Sequence, residues 1–131
     1  MQLAPELILG ESYTRAVDWW TLGILLAEML AGLPPWYDAD HNKMYDQIVN
    51  SPLSLHPKHI RGAARELLTA LLRKTPHERL GWAGAHELRE HSFFAPIDWH
   101  KLERQQVTPP WKPIVDSASD TSNVRAPLFA V

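Results

Sequence analysis

Between Arg15 and Gly32 the chain reads RAVDWWTLGILLAEMLAG, and no other stretch restricts its possible folds as much. Over residues 17 to 30 the only polar side chains are Asp18, Thr21 and Glu28. On a helical wheel of about 100° per residue they fall within roughly 80° of one another. The rest of the circumference is apolar or glycine. A surface helix carries a narrower apolar stripe, whereas one that is apolar around most of its girth is the central rod of a larger core. The apolar run is too short for the roughly 18–20 residues of a bilayer-spanning helix. The rod therefore needs protein around it. The helices predicted below cover two of its sides, so a further structural layer is expected.

Residues 5 to 14 read as a loop, with Pro5 and Gly10 as breakers. The rod runs from 15 to about 31 and is stopped by Gly32 and the Pro34-Pro35 pair. A second helix is predicted over 41 to 50, capped by Asp40 or Asn42, with Met44 and Ile48 four apart on one face. SPLSLHP (51–57) is an irregular link. RGAARELLTALLRK (61–74) is amphipathic, with Ala64, Leu67, Leu68, Leu71 and Leu72 sharing a face and Pro76 ending the helix. GAHELREHSFF (84–94) suggests a short fourth helix ending near His91. From about residue 95 the texture changes to proline-rich TPPWKP and then to DSASDTSN, which has no periodicity. Residues 100 to 131 are expected to lie along a surface rather than fold alone. No strand-like alternation and no repeat appears, so the fold class is mainly α.

The 131 residues suffice for one ordinary domain. Thirteen basic against fifteen acidic side chains leave a net charge of −2, with no long-range pull toward nucleic acid or an anionic membrane face. No cysteine is present, which removes disulfides and thiolate metal sites and fits a reducing compartment. MQLAPELILG lacks the basic and apolar regions of a signal peptide. With no transmembrane segment either, a cytoplasmic location is expected. Six tryptophans point to large buried or interface surfaces.

The rod's carboxylates are its chemical interest. Asp18, near the N-terminus, meets the positive end of the helix dipole. It reads either as a plain N-cap or as an acceptor for backbone N–H groups of a neighbouring loop. Glu28, between Ala27 and Met29, is costly to bury without a cation. It lies on a solvated face, pairs with an Arg or Lys of this chain, or stands at a rim open to a basic ligand.

LAPEL (3–7), VDWWTLGILLAEMLAGLPPWYD (17–38), HERLG (77–81), HSFF (91–94), IDWHKL (97–102) and TPPWKP (108–113) occur in that order. Together they resemble the C-terminal part of an AGC-group serine/threonine protein kinase. The match covers about residues 3 to 123, and the ordered set is highly specific. The resemblance implies an incomplete protein-kinase-like fold: the helical base of the large lobe, helices F to I, plus an extended proline-rich tail. It implies a partial kinase domain over 1–94 and a truncated AGC C-terminal extension over 95–131. Glu6 resembles the carboxylate that pairs with a buried arginine, which Arg79 matches; the alternative is a surface pair worth under about 1 kcal/mol. Asp18 matches the helix F aspartate that receives backbone N–H bonds from the catalytic loop, and Trp20 and Gly23 match helix F positions. Glu28 resembles an acidic residue that, in basophilic members, meets a basic residue upstream of the target Ser/Thr. Pro109, Pro110 and Pro113 resemble the tail segment that docks along the small lobe.

Kinase chemistry also needs a glycine-rich loop, a lysine with its helix C glutamate, and catalytic and metal-binding aspartates. No GxGxxG, VAIK, HRD or DFG sequence occurs. ATP and Mg2+ are therefore implied for the full-length kinase, with no catalytic, cofactor-binding or metal-binding residues expected in this chain. Gln2 stands where the family usually has an aromatic residue, and Val124 where it has Phe; residues 124 to 131 look unrelated.

The chain is thus expected to be an inactive fragment supplying scaffold and substrate-docking surface. The alternative is a non-catalytic, pseudokinase-like interaction module that binds basic peptides or kinase partners through Glu28 and the 41–50 surface. The implied partners are protein substrates with basic residues near the target hydroxyl and the missing small lobe, not nucleic acid or membrane. Apolar surface is expected to be exposed around Trp19 and Trp20. His86 and His91 are five apart and cannot face one ion, and His56 and His59 flank a proline link with no carboxylate near. SASDTS (117–122) is either a phosphorylation target or a plain linker.

Overall fold

Proline at a first helical position loses no hydrogen bond, because that N–H has no intrahelical partner in any case. Pro5 uses this to open a single turn, α1 (Pro5–Ile8), whose Leu7 and Ile8 amides donate to the Ala4 carbonyl. The loop predicted over 5 to 14 thus begins with helix; buried Ala4 and Glu6 hold it down. The computed structural model describes residues 3–55 and 58–123. It divides into two units, one running to Ile97 and one starting at Asp98. His56, Gln2 and residues 124–131 lie outside the described residues.

The rod is α2 (Ala16–Ala31). It ends on Gly32 at φ +84°, a left-handed conformation that glycine adopts without a Cβ penalty, with the Gly32 amide bonded to the Glu28 carbonyl at 2.8 Å. Its start is capped from outside, since the Ala16 amide donates to Thr14 Oγ1 at 3.3 Å. Asp18 is therefore not the N-cap; it lies within the first turn. Helix α3 (His41–Asn50) is capped by Asp40, whose Oδ1 accepts from the Asn42 and Lys43 amides, and buries Met44 and Ile48.

Helix α4 (Gly62–Leu71) stops short of Pro76. The carbonyls of Arg73 and Lys74 turn instead to the Arg79 side chain, which accounts for the early end. Leu67, Leu68, Leu71 and Leu72 are buried and Ala64 is half-buried. A 3-10 turn follows at Pro76–Glu78. The fourth helix is shorter than predicted: α5 covers only His86–Arg89, and Ser92–Phe94 is 3-10. His91 makes the break, because its extended backbone and its Nδ1, accepting from the Phe93 amide at 3.2 Å, restart the chain.

The core of the first unit has two lobes around α2. Trp20, Ile24 and Ala27 meet Met44, Ile48, Leu68 and Leu72 on one side. Leu67, Leu71 and Leu88 gather Trp19, Leu22 and Phe93 on the other. Gly23 faces α4 so closely that a Cβ there would lie 3.0 Å from Leu71 Cβ. Opposite this packed flank, Leu25 and Met29 are exposed, at 52% and 66%, as are Leu30 and Leu33. The open apolar surface therefore lies along residues 25 to 33. The expectation of exposure at Trp19 and Trp20 is corrected: Trp20 is fully buried and Trp19 half-buried.

In the second unit, Asp98 caps a five-residue helix, α6 (Trp99–Glu103), by accepting from the Lys101 amide. The beginning of the segment predicted as a bare tail is thus helical. From Val107 the described chain has no helix. The described residues contain no strand.

Candidate functional site

The α2 rod carries two kinds of polar construction, one buried and one open. The buried one starts from Glu6 and Arg79, which are 2% and 1% exposed. Arg79 Nη1 donates to Glu6 Oε1 at 2.8 Å and Nη2 donates to Oε2 at 3.0 Å. The remaining N–H groups donate to the carbonyls of Ala16 (2.7 Å), Arg73 (3.0 Å) and Lys74 (3.3 Å). All five guanidinium donors are therefore used. One side chain ties α1, the start of α2 and the end of α4 together. A bidentate buried pair with every donor satisfied is the geometry in which the attraction offsets desolvation. The surface-pair alternative does not apply.

Aromatic rings extend this pin. Arg79 Cζ lies 5.2 Å from the centroid of the Trp20 ring, and Trp20 stacks on Trp36 at 5.5 Å with an 8° interplanar angle. Trp36 sits at φ +57°, costly for a residue with a Cβ, in the turn after Pro34-Pro35. Its indole N–H donates to the Pro52 carbonyl at 3.1 Å, and Lys74 Nζ lies 5.6 Å from its ring. Lys74 also donates to the carbonyls of Val49 and Ser51. Burial holds the Lys74 ammonium below the ordinary lysine range. Nothing in the spacing of Trp20, Trp36 and Lys74 announced this stack.

A second local clamp supports the HERLG segment. Glu87 Oε2 accepts from the Gly81 and Ala83 amides at 2.8 and 3.1 Å. Gly81, at φ +95°, lies flat against Trp19, and an added Cβ would fall 2.5 Å from the indole.

The open construction lies on the other flank of α2. Asp18 and Glu28 are exposed, and neither carboxylate bonds or pairs with any described residue. The Asp18 carboxylate stands at the amino end of the rod, where unpaired N–H groups and the dipole favour a negative charge. Glu28 stands at the carboxyl end and borders a cleft of about 620 Å³ lined also by Thr21, Leu25, Leu33, Tyr37 and Asp38. Asp38 places a second carboxylate on this cleft, although its Oδ1 accepts from the Asp40 amide at 2.9 Å. The sequence reading missed it; the signal available was an acid directly after the aromatic pair Trp36-Tyr37. The structure thus brings Glu6 and Arg79 together, buries Trp20 beside Arg79 and packs Gly23 against Leu71 and Leu72. It leaves Asp18 and Glu28 apart at opposite ends of the open flank.

In the second unit Pro109, Pro110 and Pro113 are exposed on chain without regular structure, next to Trp111 at 69% exposure. Among the described residues no three His, Asp or Glu side chains converge as metal ligands. His91 serves as a cap, and His86 is exposed. No described helix is long and apolar enough to cross a membrane.

Residues 2–94 match the family model described as the protein kinase domain. The chain is 54% identical over 121 residues to the serine/threonine-protein kinase gad8 of Schizosaccharomyces pombe, covering 92% of this chain and 21% of that protein. It is 52% identical over 121 residues to the serine/threonine-protein kinase YPK1 of Saccharomyces cerevisiae, covering 92% and 18%. To the serine/threonine-protein kinase sgk-1 of Caenorhabditis elegans it is 49% identical over 124 residues, covering 93% and 26%. The chain thus spans about a fifth to a quarter of the length of these relatives.

Proposed function

The chain belongs to the protein kinase family, among serine/threonine kinases of the AGC group, and from that premise we propose that it supplies the scaffold and a substrate-docking surface for phosphoryl transfer to protein serine or threonine. The parent reaction moves the γ-phosphoryl of Mg-ATP to a hydroxyl. No three His, Asp or Glu side chains among the described residues converge as metal ligands. No step is assigned to this chain's own side chains beyond holding and docking.

The observation that carries the reading is the contrast between a buried acid on α1 and an exposed acid on the rod. Glu6 is consumed by Arg79, whereas Glu28 has no partner among the described residues and borders a cleft of mixed polar and apolar lining. A cation arriving there forms a charge-assisted hydrogen bond with a carboxylate that shares the cleft with Leu25, Leu33 and Tyr37. This suits a substrate segment carrying Arg or Lys near its target hydroxyl. Asp18 has the same freedom at the other end of the rod and accepts backbone N–H groups from a loop of the catalytic half. In this reading Pro109, Pro110 and Pro113 lie along the small lobe.

The test is the affinity of the chain for an Arg-rich peptide, measured by calorimetry with and without Glu28→Gln. A loss of roughly tenfold, the equivalent of one charge-assisted contact of about 1.4 kcal/mol, is expected. Equal affinity in both proteins overturns the docking role. Binding too weak to detect in both proteins leaves the chain a bare scaffold fragment. The isolated chain is also expected to show no nucleotide-dependent rise in melting temperature.

A further inference from the structure

The segment from Ile114 to Asn123 is closed on itself. Asn123 Nδ2 donates to the Ile114 carbonyl at 2.7 Å, joining its two ends. Inside, the Asp120 carboxylate accepts from the Asp116 amide at 3.0 Å and from the Ser122 amide at 2.8 Å, and the Asp120 amide donates to the Ser117 carbonyl at 3.1 Å. These backbone hydrogen bonds hold the Asp120 carboxyl below the ordinary carboxylate range. The loop is thus built around one acid. The Ser122 side chain also hydrogen-bonds the Asp120 carboxylate, but Ser117 and Ser119 are not used to close the loop: among the described residues the Ser117 hydroxyl meets the Ser119 hydroxyl, at 3.3 Å, and both residues are exposed.

We propose that Ser117 is a phosphoacceptor for an acidophilic protein kinase, an enzyme whose substrate groove carries cations that read a carboxylate three residues after the serine. Four hydroxyl residues lie between positions 117 and 122, and they are not equivalent. Three residues after Ser117 comes Asp120; after Ser119, Thr121 and Ser122 come Ser122, Val124 and Arg125. Asp116 adds a second acid immediately before Ser117, and no basic residue occurs from 113 to 124. The local field therefore repels a basophilic enzyme's acidic groove and suits a cationic one. The turn that sets the Ser117 carbonyl against the Asp120 amide keeps the serine and its acid on one short stretch. The Ser117 hydroxyl is reachable without disturbing any core residue.

The transfer uses ATP as co-substrate. A bond forms between Ser117 Oγ and the γ-phosphorus while the bond from that phosphorus to the bridging oxygen of ADP breaks. The hydroxyl proton passes to the modifying enzyme's base. The product carries a charge of about −1.5 to −2 beside Asp116 and Asp120. Repulsion then acts on the carboxylate that holds the loop shut, so modification loosens the Asp116 and Ser122 amide bonds.

The test incubates the full chain with a purified acidophilic kinase and ATP, and locates phosphate by mass spectrometry. Phosphate on Ser117, absent from Ser117→Ala, is the expected result. Asp120→Asn is expected to slow incorporation by about tenfold or more, the loss of one charge-assisted contact, and Asp120→Glu to restore it. In the NMR spectrum the Asp116 and Ser122 amide signals are expected to move toward random-coil positions on phosphorylation. Phosphate confined to Ser119, Thr121 or Ser122, or an unchanged rate in Asp120→Asn, overturns the assignment. Phosphate on Ser117 with both amide signals unmoved overturns the opening of the loop.

Discussion

The two flanks of α2 are made from different residues and treated in opposite ways. On the packed flank, Ala16, Trp20, Gly23, Ile24 and Ala27 are buried against α4, α3 and the Glu6–Arg79 pair. On the open flank, Asp18, Thr21, Leu25 and Glu28 face outward, and two carboxylates have no partner among the described residues. On the first flank every donor of the buried Arg79 guanidinium is satisfied, while the buried indole N–H groups of Trp19 and Trp20 have no hydrogen-bond partner among the described residues. The carboxylates on the second are left free, at the edge of apolar surface. The difference separates what the fold requires from what is available to a ligand or a neighbouring segment.

Breaking the packed flank at its pin is expected to have the largest effect. Arg79→Ala leaves the Glu6 carboxylate buried and unpaired and strips three carbonyls of their donor. A cost of about 3–5 kcal/mol is expected from the broken pair alone. That is a large share of the roughly 5–15 kcal/mol available to an ordinary domain, so urea titration is expected to show a chain mostly unfolded or nearly so. Glu6→Gln is expected to cost less, because the amide oxygen still accepts from the guanidinium. Equal stability of Arg79→Ala and wild type would mean that the two flanks do not differ in kind.

The glycines sharpen the comparison at intermediate scale. Gly81→Ala forces a side chain into φ +95° and into an indole 2.5 Å away, which cannot yield at its rim as an aliphatic tip can. Backbone strain and overpacking together are expected to cost about 2–4 kcal/mol. Gly23→Ala meets Leu72 Cδ2 at 2.9 Å, a tip that can move, and Leu71 Cβ at 3.0 Å, which cannot. The gain in helix propensity, about 1 kcal/mol, offsets part of the overpacking, so a net loss of about 1 kcal/mol is expected. Chemical denaturation of both variants checks the order.

How much of this was legible depends on how local each cause is. Helix α3 was readable because Asp40, Met44 and Ile48 act within one helix, although the choice of cap between Asp40 and Asn42 was open in the sequence. The end of α2 was readable for the same reason, since Gly32 stops it from the adjacent position. The end of α4 was not, because the group that draws away the Arg73 and Lys74 carbonyls is the side chain of Arg79 folded back onto them. The break at His91 escaped because a histidine rarely announces itself as a cap. At the site, periodicity alone put Asp18 and Glu28 on one face. It could not tell that Trp20, two residues from Asp18, would be sealed under Trp36, a contact set by the strained turn at residues 34–36. Pairing Glu6 with Arg79 across 73 positions came only from resemblance.

The smallest effects are expected on the open flank, and their signs carry the argument. Exposed substitutions without partners usually change stability by no more than about 0.5 kcal/mol. The helix dipole then decides the direction. Asp18 lies in the first turn of α2, where a carboxylate is favoured by about 0.3–1 kcal/mol, so Asp18→Asn is expected to be slightly destabilising. Glu28 lies in the last turn, where the dipole's negative end opposes it, so Glu28→Gln is expected to be neutral or stabilising by a few tenths of a kcal/mol. Urea titrations of the two variants, run in low salt to keep the dipole unscreened, resolve the pair. If Glu28→Gln instead costs more than about 1 kcal/mol, the carboxylate is holding the fold and the open flank is not open. If it costs nothing, Glu28 occupies a position that the fold itself disfavours, and its use must lie in what it meets from outside.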